Sequence, residues 1–155
     1  DWEMIFPSIT IGLLSVAVLN LNNMRDIESD KKAGKNTIVV KIGLANAKLL
    51  HYCFVIAAFI CAVCTTANAF VASGNNLVID GLNNGFDFAA GNSPNYGILY
   101  INFLPLLAFI PLFIHLIKVK NTKSTALLDP ELKKVALSTF FFALLSILSV
   151  YLVTT

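Results

Sequence analysis

Residues 4–37 read "MIFPSITIGLLSVAVLNLNNMRDIESDKKAGKNT", an apolar run that ends abruptly in a crowd of charges. Met4 to Leu21 is a run of 18 residues. As a helix rising about 1.5 Å per residue it is about 27 Å long, near the thickness of a hydrocarbon core. Such a helix leaves the membrane at about residue 22 and carries the charges into water. The whole chain has the same character. Its 155 residues are 57% hydrophobic and 13% charged, with a mean hydropathy of +0.76, far above the balance of a soluble domain.

Three more runs have the length to cross. Residues 49–71, "LLHYCFVIAAFICAVCTTANAFV", form the second, with a more polar far end at Thr65, Thr66 and Asn68. Residues 98–117 form the third and contain Pro105 and Pro111, kinks that a membrane helix tolerates where neighbours satisfy the freed carbonyls. Residues 135–155 form the fourth, introduced by "LDPELKK", where Asp129 suits an N-cap and Pro130 the first helical position. The expected fold is all-α, a polytopic transmembrane bundle of four spans. Drawn with these bounds, no span holds an Asp, Glu, Lys or Arg, which argues against an ion pathway.

Basic residues divide cleanly between the connecting segments. Arg25, Lys31, Lys32, Lys35, Lys41 and Lys48 lie between spans one and two, and Lys118, Lys120, Lys123, Lys133 and Lys134 between spans three and four. Together they are all 11 Lys and Arg of the chain. The positive-inside rule then puts both basic loops in the cytoplasm and both ends of the chain outside, in a cell inner membrane. Trp2, Phe6, Tyr96 and Tyr100 would mark the outer aromatic belt. Residues 72–97 are rich in Gly and Asn and suggest turns with at most a short surface helix. Cys53, Cys61 and Cys64 lie in an apolar run with no metal-ligand spacing and read as small apolar fillers. The chain starts at Asp1 with no basic segment before its first apolar run, so it is expected to be part of something longer.

Chemistry concentrates in the first basic loop. If the first helix continues past residue 21, then Asn22, Asp26 and Asp30 step by about 400° each and share an arc of about 80°, with Asn23 beside them. Glu28 points elsewhere, with Lys32 as its expected partner. Two carboxylates a helical turn apart repel unless a cation lies between them. A hard cation such as Mg²⁺ takes one or two carboxylates plus phosphate oxygens and water, so Asn22, Asp26 and Asp30 are the candidate metal ligands. Asn22, Asn23, Arg25, Lys31 and Lys35 are the candidate diphosphate contacts, and Gly34 should end the helix in the left-handed conformation and fold Lys35 back. A solvated charge run at an ordinary helix end is the competing reading. Asn83-x3-Asp87 repeats the spacing in the segment without basic residues and reads as a turn. His51 and His115 are expected as half-wet residues at cytoplasmic helix ends, Asn20 as a cavity or capping residue, and Asn102 as an interhelical hydrogen bond.

The pattern Asn-Asn-x-Arg-Asp-x3-Asp-x3-Gly-Lys-x-Thr in "NNMRDIESDKKAGKNTIVVKIG", residues 22–43, resembles the second aspartate-rich motif of the UbiA superfamily of intramembrane prenyltransferases. It is most similar to the branch that prenylates 1,4-dihydroxy-2-naphthoate on the way to menaquinone. The resemblance implies a nine-helix fold of which this chain supplies helices six to nine. It also implies Mg²⁺ held by Asn22, Asp26 and Asp30 against a polyprenyl diphosphate, with Arg25 and Lys35 as catalytic partners of the two aspartates. Its partners would be that diphosphate, an aromatic acid, the lipid bilayer and the missing N-terminal helices of the same protein, and no nucleic acid. The family's first aspartate-rich motif is absent, so the chain carries half of such a site. A sister enzyme acting on 4-hydroxybenzoate or a chlorin, a transporter half-bundle and a lipid-attracting module with no catalysis are the alternatives.

Overall fold

A computed structural model of the chain describes residues 4–84, 100–122 and 125–154. Among the described residues every regular element is helical. The order is α1 (Ile5–Arg25), α2 (Ile27–Lys32), α3 (Ile38–Asn84), a 3₁₀ segment (Leu104–Phe109), α4 (Ile110–Asn121), a second 3₁₀ turn (Thr125–Leu128) and α5 (Asp129–Thr154). Four stretches are long and apolar enough to cross a membrane: Ile5–Arg25, Ile38–Ile79, Leu104–Asn121 and Asp129–Val153. The protein is a multi-pass membrane protein.

The spacing of apolar side chains explains the packing. Thr10, Leu14, Ala17, Leu21 and Met24 recur every three or four residues and form the buried stripe of α1. Ala47, Val55, Ala58 and Ala62 form the facing stripe of α3. The alanines let the two backbones approach, the usual means of helix association where lipid offers no hydrophobic drive. α1 is the central helix, packed against both α3 and α5, and the 3₁₀ segment lies on α5. Phe59, Phe109 and Phe142 meet edge to face across α3, the 3₁₀ segment and α5. Large apolar side chains such as Ile9, Val16, Leu19, Ile56, Ile60 and Ile147 stay on the outside, as a helix surface facing lipid requires.

The helices overrun the expected bounds, and the reason is local. α3 has 47 residues. Non-helical backbone at Gly43 divides it, and the part from residue 44 to Asn84 is about 60 Å long, roughly twice a hydrocarbon core, so α3 extends beyond the membrane. It starts at Ile38 because the Thr37 hydroxyl accepts the Val40 N–H at 3.3 Å and caps it. It bends at Gly43, whose φ of 78° and ψ of 163° belong to a region that glycine alone occupies cheaply. Residues 72–84, expected as turns with at most a short surface helix, continue α3 instead. Proline breaks the third span as anticipated, since Pro105 opens the 3₁₀ segment and Pro111 the α-helix that follows.

α5 begins six residues before the expected start of span four and takes in Glu131, which is 2% exposed. An ionisable residue therefore does enter the fourth span, contrary to expectation: Asp129-Pro130 starts the helix so early that the Glu131 carboxylate becomes part of the buried bundle. Cys53 is exposed, while Cys61 and Cys64 are half-buried, and all three are free thiols, so only the latter two act as fillers. Of the aromatic belt, Phe6 is half-buried and Tyr100 exposed. Trp2 and Tyr96, the Asn83-x3-Asp87 turn beyond Asn84, and Lys123 lie outside the described residues.

Candidate diphosphate and metal site

The motif is almost continuously helical. Asp26 ends α1 and starts α2 with φ −93° and ψ 7°, a one-residue departure from helical geometry. The four-residue step survives it, because the Asp26 N–H donates to the Asn22 carbonyl at 3.1 Å and the Asp30 N–H to the Asp26 carbonyl at 2.9 Å. α2 ends in a Schellman turn. The Lys35 N–H reaches the Asp30 carbonyl at 2.9 Å, the Gly34 N–H reaches the Lys31 carbonyl at 3.1 Å, and Gly34 has φ 68°. The anticipated glycine cap is therefore present, and it turns Lys35 back onto the helix it follows.

That turn makes an ion pair. The Lys35 Nζ lies 2.9 Å from Asp30 Oδ1; the Asp30 side chain is 6% exposed and the Lys35 side chain 64%. Arg25 grips Asp26 with two donors, Nε to Oδ1 and Nη2 to Oδ2, each at 2.8 Å. The Arg25 guanidinium holds the Asp26 carboxyl below the usual carboxylate range, and Asp30 raises the Lys35 amine above its own. The signs follow by linkage. Asp26 contributes stability above its unfolded pKa and loses it only as pH falls through the lowered folded value. Lys35 contributes below its unfolded pKa and loses it as pH rises through the raised one. At neutral pH Asp26 is therefore ionised and Lys35 protonated.

Asn22 and Asn23 are half-buried one turn before Asp26. Lys31 is exposed and sits 3.9 Å from Glu28, so Glu28 pairs three residues ahead and not with Lys32 as expected. Both i+3 and i+4 neighbours lie within reach on a helix, and here the i+3 lysine is the one that closes on Glu28.

Two features were invisible in the spacing. Arg25 Nη1 also donates to Asp129 Oδ1 at 2.8 Å, 104 residues away, at the start of α5. And His51 and His115, expected half-wet, are both fully buried, with Nε2 to Nε2 at 2.8 Å. His115 Nδ1 is 2.9 Å from Glu131 Oε2, while Lys134 Nζ and Lys118 Nζ stand 2.6 and 3.4 Å from Glu131 Oε1. Both rings are enclosed between helices and are not half-wet. Asn20 donates to the Ala47 carbonyl at 2.9 Å, tying α1 to α3, and Asn102, expected in an interhelical bond, lies in the turn before the 3₁₀ segment and donates to Ser73 Oγ of α3 at 3.2 Å.

Among the described residues no group of three or more His, Cys, Asp and Glu side chains forms a metal cage. The donors present still fit a magnesium ion. Asp26, Asp30 and Asn22 are hard oxygen donors in step on one backbone, and Mg²⁺ ordinarily keeps waters and substrate phosphate oxygens in the rest of its shell.

The model of the UbiA prenyltransferase family matches residues 1–79, a segment that contains the whole motif. The chain belongs to the UbiA prenyltransferase family. Relatives include 1,4-dihydroxy-2-naphthoate octaprenyltransferase of Escherichia coli, 48% identical over 58 residues, which are 37% of this chain and 19% of that protein. The protein of the same name from Haemophilus influenzae is 39% identical over 79 residues, 51% of this chain and 26% of the relative. That of Mycobacterium tuberculosis is 39% identical over 51 residues, 33% of this chain and 18% of the relative. The chain thus matches about a quarter or less of each of these UbiA-family relatives. No solved structure matches it significantly.

Proposed function

We propose that this chain supplies helices six to nine, and the second aspartate-rich loop, of an enzyme that transfers a polyprenyl group from polyprenyl diphosphate to 1,4-dihydroxy-2-naphthoate. Diphosphate and CO₂ leave, and demethylmenaquinone is the product. Family membership and the names of the relatives support the reaction class and the acceptor. The observation that carries the assignment of the site is the pairing of Asp26 with Arg25 and of Asp30 with Lys35, two carboxylates in helical step with each cation within 2.9 Å.

Asn22, Asp26 and Asp30 would hold Mg²⁺, which when bound supplies positive charge against the diphosphate oxygens. Arg25 and Lys35 do the rest from this side. Lys35 has an exposed amine on a fixed turn, and Arg25 is fixed in plane by its fork. Both can donate to phosphate oxygens as negative charge builds up on the departing diphosphate. The aspartates in turn hold the two cations in place before substrate arrives, so little reorganisation is needed at the moment of bond breaking. Because the motif follows directly on a membrane helix, a long isoprenoid tail can remain in the apolar bundle while its charged head sits at the surface. In the full-length protein, Asp26→Asn should reduce Mg²⁺-dependent prenyl transfer by about 10- to 100-fold with normal membrane insertion, as for other groups that orient a metal. Unchanged turnover at saturating Mg²⁺ would refute the site.

We place both basic loops on the cytoplasmic side of the inner membrane, with residues 4 and 154 toward the outside, on the strength of the division of all 11 Lys and Arg. A cysteine introduced at Lys32 or Lys120 should react with a membrane-impermeant thiol reagent only after the cells are opened. Labelling in intact cells would invert the orientation.

A further inference from the structure

Arg25 is a motif residue whose direction is set from outside the motif. A guanidinium has five N–H donors in one plane. Asp26 takes one from Nε and one from Nη2, and Asp129 takes one from Nη1, all at 2.8 Å. Two donors, one on each terminal nitrogen, are not used by these bonds. A single bidentate carboxylate still lets the arginine swing with the side chain that holds it. A second carboxylate, on another helix, fixes the plane.

That second anchor is itself held. Asp129 is the first residue of α5, and Glu131 in the same turn is 2% exposed, bonded to His115 of α4 and to Lys134. His115 continues to His51 of α3. The anchored turn therefore connects α3, α4 and α5 to the charged end of α1. The Asp129 side chain is 61% exposed and that of Arg25 30%. A pair so wet adds little to stability, so its effect lies in where it aims the guanidinium.

We propose that Asp129 is a positioning residue for Arg25, presenting its two remaining donors to the diphosphate, and that the buried Glu131–His115–His51 chain holds Asp129 in place. This rests on the reading of the motif as a diphosphate site. The test is made in the full-length protein with Mg²⁺ and a prenyl thiodiphosphate, which binds without turnover. Asp129→Asn should weaken its binding about fivefold, the range of a lost exposed charged contact, and leave the KM for the aromatic acceptor unchanged. Asp129→Glu should restore most of the affinity. In an Arg25→Lys background, which lacks the fork, Asp129→Asn should have no further effect.

The inference is overturned if Asp129→Asn binds the thiodiphosphate normally, if it shifts the acceptor KM equally, or if its effect adds in full to that of Arg25→Lys. Asp26→Asn serves as the control. Should Asp26→Asn bind and turn over normally, the diphosphate reading itself falls. Should Asp26→Asn fail and Asp129→Asn behave as wild type, only the role of Asp129 is lost.

Discussion

Replacing Asp30 with Asn in the full-length protein is expected to lower prenyl transfer by about 100-fold or more, the scale seen when one preorganised electrostatic contact is removed from a reacting centre. Asp30 is the buried carboxylate of the motif, 4% exposed as a residue, and its position is fixed three times over. Its N–H is bonded to the Asp26 carbonyl, its own carbonyl receives the Lys35 N–H, and its Oδ1 receives the Lys35 amine. Asn preserves the shape, so helix and turn should survive. What it removes is the charge: Lys35 loses its counter-ion and, on the proposed reading, Mg²⁺ would lose a ligand. The loss should exceed that of Asp26→Asn, because the Asp26 side chain is 34% exposed and water can replace part of its contribution. Prenyl transfer measured across a Mg²⁺ titration decides it. Turnover within a few-fold of wild type would remove Asp30 from the reaction.

A second large effect concerns stability. His115→Ala should destabilise the full-length protein by about 3 kcal/mol, since removing one member of a buried, paired set leaves the others without partners. His115 bridges two groups, His51 Nε2 and Glu131 Oε2, and all three residues are essentially inaccessible. Part of any loss would come from the vacated volume. His115→Phe separates the two causes, because it refills the space and restores neither hydrogen bond. Thermal unfolding in detergent should show both variants well below wild type. A His115→Phe protein that melts with wild type would mean that volume, and not the polar chain, holds these helices together.

The motif itself was largely legible in advance because its geometry is local. Backbone bonds from residue i to i−4 carry the four-residue step through Asp26. Gly34 caps the helix because residues with a Cβ pay to adopt φ 68°. Interior positions were less legible. Nothing in the neighbourhood of His51 or His115 distinguishes a half-wet ring at the membrane surface from a fully buried one, since that depends on which helices arrive beside it. The error on the Glu28 partner had a smaller cause: lysines stand at both i+3 and i+4, and spacing alone does not choose between them.

By itself the amino-acid order determined that this is an all-helical membrane protein with four long apolar stretches, and that Asn22, Asp26 and Asp30 fall in step at the end of one of them. Hydrophobic length, helical period and glycine stereochemistry act over a few neighbouring residues, so they can be read directly. Only the tertiary structure decided that Asp129, 104 residues on, closes on Arg25, and that His51, His115 and Glu131 meet in the interior. Those contacts depend on how α1, α3, α4 and α5 pack. In a membrane that packing is settled by small side chains and buried hydrogen bonds distributed over the whole bundle, a property no single stretch of sequence contains.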